Sequence, residues 1–269
     1  DGIEVAVLNL DPLKADSDND GINDGDEDFD SDGLTNLEEI ETYKTNPVLA
    51  DTDGDQLSDG KEVKVYKTDP KDIDTDNDGL SDGIEVLVLL LDPLKIDSDN
   101  DGINDGDEDF DLDGLTNLEE IVTYKTDPTL ADTDKDGLSD GIEVAVLNLN
   151  PLKADSDNDG INDGDEDFDS DGLTNLEEIE TYKTNPALAD TDKDGLSDGI
   201  EVKVHKTDPN DADSDDDGLS DGLEILVLKT PPLKSDNDGD GIKDGEEDAD
   251  SDGLTNFEEV SQYKTNPVL

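Results

Sequence analysis

Asp74-Thr75-Asp76-Asn77-Asp78-Gly79-Leu80-Ser81-Asp82-Gly83-Ile84-Glu85 sets carboxylates at positions 1, 3, 5, 9 and 12 of a twelve-residue stretch, with glycine at position 6. That is the ligand spacing of a calcium loop. Calcium takes about six to eight hard oxygens at roughly 2.3–2.6 Å. Side chains 1, 3 and 5 supply three, and the carbonyl of position 7 adds another. Position 9 contributes directly or through water, and a bidentate glutamate at 12 closes the shell. Position 6 needs a sharp turn with positive φ, which glycine tolerates. Magnesium is the weaker candidate, because its octahedron seldom accommodates a bidentate carboxylate and it gives up water reluctantly.

The motif is written thirteen times in 269 residues. The candidate ligands, with position 7 acting through its carbonyl, are Asp16, Asp18, Asp20, Ile22, Asp24 and Glu27 in the first loop. They are Asp28, Asp30, Asp32, Leu34, Asn36 and Glu39 in the second, and Asp51, Asp53, Asp55, Leu57, Asp59 and Glu62 in the third. The fourth holds Asp74, Asp76, Asp78, Leu80, Asp82 and Glu85, and the fifth Asp97, Asp99, Asp101, Ile103, Asp105 and Glu108. Asp109, Asp111, Asp113, Leu115, Asn117 and Glu120 follow, then Asp132, Asp134, Asp136, Leu138, Asp140 and Glu143. The eighth and ninth loops hold Asp155, Asp157, Asp159, Ile161, Asp163 and Glu166, and Asp167, Asp169, Asp171, Leu173, Asn175 and Glu178. The tenth and eleventh hold Asp190, Asp192, Asp194, Leu196, Asp198 and Glu201, and Asp213, Asp215, Asp217, Leu219, Asp221 and Glu224. The last two hold Asp236, Asp238, Asp240, Ile242, Asp244 and Glu247, and Asp248, Asp250, Asp252, Leu254, Asn256 and Glu259. A merely acidic solvated stretch does not keep a glutamate at every twelfth position.

Loop starts are 12 or 23 residues apart and nothing else, the mark of a repeat array in which each unit packs on its neighbours. A longer repeat of 139 is superposed, because residues 1–49 recur almost verbatim at 140–188. The expectation is one continuous array over 1–269, with long repeats 1–139 and 140–269 and sub-modules near 1–96, 97–154, 155–235 and 236–269. The chain opens at Asp1-Gly2-Ile3-Glu4, the last third of a loop, and ends at Asn266-Pro267-Val268-Leu269, a phrase that elsewhere leads into the next loop. Both ends therefore read as cuts through an array that continues, along one polypeptide or by head-to-tail assembly.

A net charge of −63 with 3% aromatic residues describes a chain that, bare, is disordered and self-repelling. Thirteen divalent ions bring −63 only to −37, which still repels nucleic acid and anionic membranes. There is no cysteine, so metal ligation replaces disulfides as the staple of a thin core. The longest apolar run, Val86 to Leu91, is far shorter than the roughly 18 residues of a membrane span. No Asn-x-Ser/Thr sequon occurs.

Each 23-residue unit reads as a loop, a helix of roughly ten residues starting inside it, and a stop. Ser197 stands at an N-cap position, and Thr35/Glu38 and Thr116/Glu119 have capping-box spacing. Leu34, Leu37, Ile40 and Tyr43 form one helical stripe and Ile3, Val7 and Leu10 another, each expected to dock on the adjacent repeat. Tyr43, Tyr66, Tyr124, Tyr182 and Tyr263 are expected in that seam. Proline ends the helix, as in Thr45-Asn46-Pro47 and Thr68-Asp69-Pro70, and the chain then runs extended to the next loop. Where Glu27 meets Asp28, Glu108 meets Asp109, Glu166 meets Asp167 and Glu247 meets Asp248, no helix fits between two loops. Two ions then lie close, and Asp26 or Asp107 offers a ligand for an additional one. Phe29, Phe110 and Phe168 sit at position 2 of the second loop, pointing outward over a neighbour. The loop Asp51 to Glu62 has Gln56 at position 6 and Gly54 at position 4, so its site is the weakest or its turn has shifted.

Tyr66-Lys67-Thr68-Asp69-Pro70 followed by the loop Asp74 to Glu85 resembles the bacterial thrombospondin type 3 repeats, and the resemblance runs the length of the chain. It implies extracellular, calcium-ordered stalks on surface or secreted proteins. Glutamate at 12 before a helix also resembles EF-hand and dockerin loops, but the segment entering each loop ends in proline and extended chain, so no helix–loop–helix pair forms. The fold expected is a mostly irregular, small-helix, calcium-stabilised repeat array, an elongated solenoid-like rod of loops, short helices and extended linkers. The function expected is structural: a Ca2+-rigidified extracellular rod in a filament, stalk or adhesin, binding about thirteen or more calcium ions and further copies of itself. The alternative is an acidic, calcium-dependent adhesion, matrix- or mineral-binding module, or a calcium buffer. An enzyme is not expected. The one histidine, His205, stands where other repeats have tyrosine, and the carboxylates suited to acid–base work are claimed by metal. A calcium sensor wants a methionine-rich groove, and methionine is absent.

Overall fold

The loops are built by their own acid side chains. In the computed structural model, which describes residues 5–269, Asp74 accepts backbone N–H bonds from Asn77 at 2.7 Å and Gly79 at 3.0 Å. Asp76 accepts from Asp78 at 3.2 Å and Asp78 from Leu80 at 2.8 Å. Each carboxylate thus fastens the chain two to five residues ahead of it, the local bonding that draws aspartate into turns. The bonds curl the backbone through the left-handed region twice, at positions 4 and 6, as at Asn77 (φ 66°) and Gly79 (φ 105°). The second of these was legible from glycine. The first falls on Asn, Ser, Lys, Asp, Gly or Leu, and only Asn and Gly announce it. Gln56 keeps the common turn at φ 85°, so the turn has not shifted and the strain stays on glutamine.

Helices begin inside the loops, but they are shorter and wider than expected. Asp59–Lys61 is one α-helical turn and Glu62–Tyr66 continues it as π-helix; Asp82–Ile84 and Glu85–Leu89 repeat the pattern. Thr35 and Glu38 exchange both capping-box bonds, as do Thr116 and Glu119. Ser197 occupies its N-cap without a side-chain cap bond, whereas the Ser81 hydroxyl accepts from Ile84 at 3.3 Å. Proline is not the stop. Each helix ends three residues earlier, on a left-handed residue such as Lys67 (φ 73°), whose N–H donates to the Glu62 carbonyl at 2.6 Å. Pro70 then packs, buried, in the linker.

The core differs most from the expectation. Of the expected stripes Leu34 is buried, but Leu37 is 53% exposed and Val7 41%, Leu10, Ile40 and Tyr43 are half-buried, and Ile3 lies outside the described residues. The tyrosines are likewise half-buried or, for Tyr263, exposed. The buried set is chiefly the position-7 leucines and the acids at 9 and 12, together with Leu8, Leu89 and Leu147: Leu57, Asp59 and Glu62 are each 0% exposed. Among the described residues every buried hydrophobic side chain is a leucine, and there are eleven of them. The helix turns its polar face inward because carboxylates occupy the centre.

Among the described residues there is no strand, and no helix is long and apolar enough to cross a membrane. The chain divides into two compact units, Asp1–Ala131 and Asp132–Leu269, each an array of short helices and loops with the buried leucines and acids along it.

Candidate metal centres

Within one loop the acids at 1, 3 and 5 converge; Asp74, Asp76 and Asp78 bring oxygens within 4.8 Å of one another, as do Asp16, Asp18 and Asp20 and the triads starting at Asp28 and Asp51. Position 12 joins them where the loop runs into a helix. There Glu62 is tied twice, its carbonyl to Lys67 and its Oε1 to the Thr68 hydroxyl at 3.2 Å. The same threonine bond holds Glu39, Glu120, Glu178, Glu201, Glu224 and Glu259. Leu91 and Leu149 replace the threonine behind Glu85 and Glu143, and both oxygens of those two glutamates are buried without a hydrogen-bond partner.

Position 9 behaves differently from its assigned role in its own loop. Asp82 accepts from the Thr75 N–H at 2.8 Å and the Thr75 hydroxyl at 2.7 Å, bracing the turn. It also stands within 4.8 Å of Asp55 and Glu62, which belong to the preceding loop. All three are buried. Asp59 likewise adds to the repulsion on Glu39, Asp105 to that on Glu85, Asp163 to that on Glu143 and Asp198 to that on Glu178. A carboxylate from the next loop therefore walls each of these sites, a contribution that the twelve-residue motif read one loop at a time does not show. Its signal in the sequence was Gly83, one residue on. The Gly83 N–H donates to Asp55 Oδ2 at 2.8 Å, and a Cβ there would overlap the Asp55 carbonyl. Gly60 meets Asp32 in the same way.

In the back-to-back loops position 9 is asparagine. Asn36 accepts from the Phe29 N–H at 3.3 Å and donates Nδ2 to the Asp24 carbonyl at 2.6 Å; Asn117, Asn175 and Asn256 repeat the pair. Asparagine serves there because its Nδ2 donates to a backbone carbonyl of the preceding loop, which a carboxylate cannot do. The rings of Phe29, Phe110 and Phe168 are about half-exposed. Asp26 and Asp107 are exposed, and Asp26 accepts from Asn23 Nδ2 at 3.0 Å.

The electrostatics of this arrangement are lopsided. Burial first, then Asp53 and Asp55, push Glu62 up from 4.5 to about 8. Burial, Asp76 and Asp78 push Glu85 to about 9, and Glu143 reaches about 9 in the same way. Burial is also the first cause that raises Asp53, Asp134, Asp169, Asp192 and Asp215 to about 6. Two like charges 4 Å apart repel by about 4 kcal/mol at an effective dielectric near 20. One triad of them rivals the whole stability of an ordinary domain, about 5–15 kcal/mol. Orphaned oxygens such as Asp53 Oδ2, Glu62 Oε2 and Asp76 Oδ2 converge with no donor to meet them. The donor set is all hard oxygen, which fits a calcium-class cation and not a soft transition metal. In the helix-bearing loops Leu57 and Leu80 at position 7 have core side chains, and their N–H groups are engaged by position 5.

Ten stretches match the family model of the bacterial TSP3 repeat, at residues 16–30, 51–73, 74–87, 97–111, 132–154, 155–169, 190–212, 213–235, 236–250 and 248–268. They cover most of the sequence, and the chain belongs to this family, a calcium-binding repeat family and not an enzymatic one. No curated protein matches it. Among solved structures it is similar to "Biofilm associated protein - BSP domain", at 43% identity over 16% of this chain and 8% of that one, with a TM-score of 0.16. It is similar also to "Biofilm associated protein - B domain", at 44% identity over 17% of this chain and 11% of the other, with a TM-score of 0.17. The chain spans about a tenth of the length of those two chains.

Proposed function

We propose that this protein is a calcium-rigidified structural array, a stretch of an extracellular filament, stalk or adhesin that holds thirteen Ca2+ ions, one for each complete loop. The observation that carries the reading is the cluster of Asp55, Glu62 and Asp82, three buried carboxylates within 4.8 Å drawn from two successive loops. An ion there neutralises charge that the metal-free fold offsets only by keeping protons, and it joins one repeat to the next. Acids at 1, 3, 5 and 12 of the loop, the position-7 carbonyl and the following loop's position 9 would form its shell. Binding free energy then becomes folding free energy. An all-oxygen array of this length suits the near-millimolar calcium found outside the cell. Regular repetition suits a rod, which needs length and stiffness, and offers no single unique place for catalysis. Extension by further repeats or further copies follows from the same regularity.

The test is calcium content and shape together. Elemental analysis after dialysis against trace calcium is expected to give thirteen ions per chain. Small-angle scattering is expected to show a rigid form in calcium and coil-like dimensions in EDTA. A compact, protease-resistant form in EDTA sinks the proposal, as does a stoichiometry near zero.

A further inference from the structure

Two kinds of loop occur in this chain. Nine run directly into a helix and carry their glutamate in helical backbone, as Glu62 does at φ −53° and ψ −57°. The other four, 16–27, 97–108, 155–166 and 236–247, lead a back-to-back pair. Their helix is replaced by a single turn, the three-residue 3-10 turn Asp105–Asp107 in the second of them. Glu108 follows in extended backbone at φ −74° and ψ 157°, with no threonine hydroxyl behind it.

The surroundings differ as sharply. Asp99 and Asp101 are exposed, whereas Asp78 is buried. Ile103 at position 7 is 47% exposed, whereas Leu80 is 1%. The loop that follows supplies an amide in place of a carboxylate, and Asn117 uses both ends of that amide, on the Phe110 N–H and the Asp105 carbonyl. Buried oxygens without partners, Asp76 Oδ2 and Glu85 Oε1 and Oε2 among them, lie at positions 3, 5 and 12 of helix-bearing loops; the pair-leading loops contribute only position 9, as Asp105 Oδ2, which walls the site before it, and neither Asp99 nor Asp101 contributes one.

We infer that the array takes up calcium in two tiers, the four pair-leading loops filling and emptying at higher free calcium than the nine helix-bearing loops. This rests on the calcium reading above. Ligand charge and rigidity set the affinity of an oxygen site. The helix-bearing sites have a glutamate pinned by the helix, and seven of them receive a further carboxylate from the next loop of the same unit. The pair-leading sites have neither, and water competes for their acids. Over a window of free calcium the helix-bearing repeats therefore stay loaded while the pair junctions exchange ions, which makes those junctions the calcium-responsive points of the array.

The experiment is ion count against free calcium for the whole 269-residue chain, by native mass spectrometry in chelator-buffered solution. A plateau at nine ions is expected, with the last four entering at free calcium at least about tenfold higher. The combined variant Asp20→Asn, Asp101→Asn, Asp159→Asn and Asp240→Asn is expected to delete the upper step and leave nine ions and the circular dichroism of the plateau unchanged. The matched variant Asp55→Asn, Asp78→Asn, Asp136→Asn and Asp217→Asn is expected to lower the first plateau. A single step to thirteen, or loss of first-plateau ions in the pair-leading variant, overturns the two-tier inference and leaves the calcium reading standing. No ion bound at any concentration overturns both.

Discussion

Glu62 shows at the scale of one residue what holds this protein together and what threatens it. Its backbone carbonyl ends the helix, one oxygen takes the Thr68 hydroxyl, and the other faces acids from two loops with no donor. Without metal, burial first and then Asp53 and Asp55 of its own loop raise its pKa from 4.5 to about 8. The folded metal-free chain therefore keeps protons that the unfolded chain releases between those values. The metal-free fold is most stable below pH 4.5 and loses stability as pH rises toward 8, the reverse of ordinary acid denaturation. Calcium competes with the same protons, so its affinity rises with pH up to that point. Acidifying the EDTA-treated chain from about pH 8 to 5 is thus expected to compact it, as followed by scattering. Expansion on acidification would show that these carboxylates are not buried together.

At the scale of the element, two backbone details set how repeats stack and stop. Gly83 has an ordinary φ and exists to let the Asp55 carbonyl approach, while Gly102 has φ 100° and open space around it. Gly83→Ala should force two loops apart at about 3 kcal/mol, and Gly102→Ala should cost about 1 kcal/mol of backbone strain alone. Denaturant midpoints in calcium compare the two directly, and equal losses would mean that the close approach does not matter. Leu90 ends its helix at φ 62° while 82% exposed, in the place that Asn148 occupies 58 residues later. Leu90→Asn is expected to stabilise that repeat by about 1 kcal/mol, read as a rise in the same midpoint. An unchanged or lower midpoint would mean that Leu90 makes a contact worth more than its strain.

At the scale of the whole molecule, order is distributed. Sites walled by the next loop couple neighbours, as Asp82 does with Asp55 and Glu62. Stability in such arrays is a sum of local terms. Glu62→Gln is therefore expected to lose one ion and to speed hydrogen exchange in residues 51–96 while leaving 190–235 protected. Exchange that rises uniformly along the chain would show one cooperative unit instead. The family match over ten stretches says what each repeat is, and the division at Ala131 and Asp132 marks how the described contacts group.

Period and ligand chemistry were set by the sequence alone. Carboxylates at fixed spacing with a left-handed turn among them admit few solutions, and Asp74, Asp76 and Asp78 fasten their own loop whatever surrounds it. Helix starts were legible for the same local reason, through Thr35 with Glu38. What faced inward was not legible. Apolar periodicity placed Leu34, Leu37, Ile40 and Tyr43 in the seam, and of these four the structure buries Leu34 alone, together with the polar Asn36 and Glu39, because packing follows the charged centre and not the greasiest face. The π-helical ending and its left-handed lysine were hidden as well, since lysine carries no signal for positive φ. The meeting of Asp82 with Asp55 and Glu62 was decided only in three dimensions, where the 23-residue step sets one loop's ninth residue against the site before it.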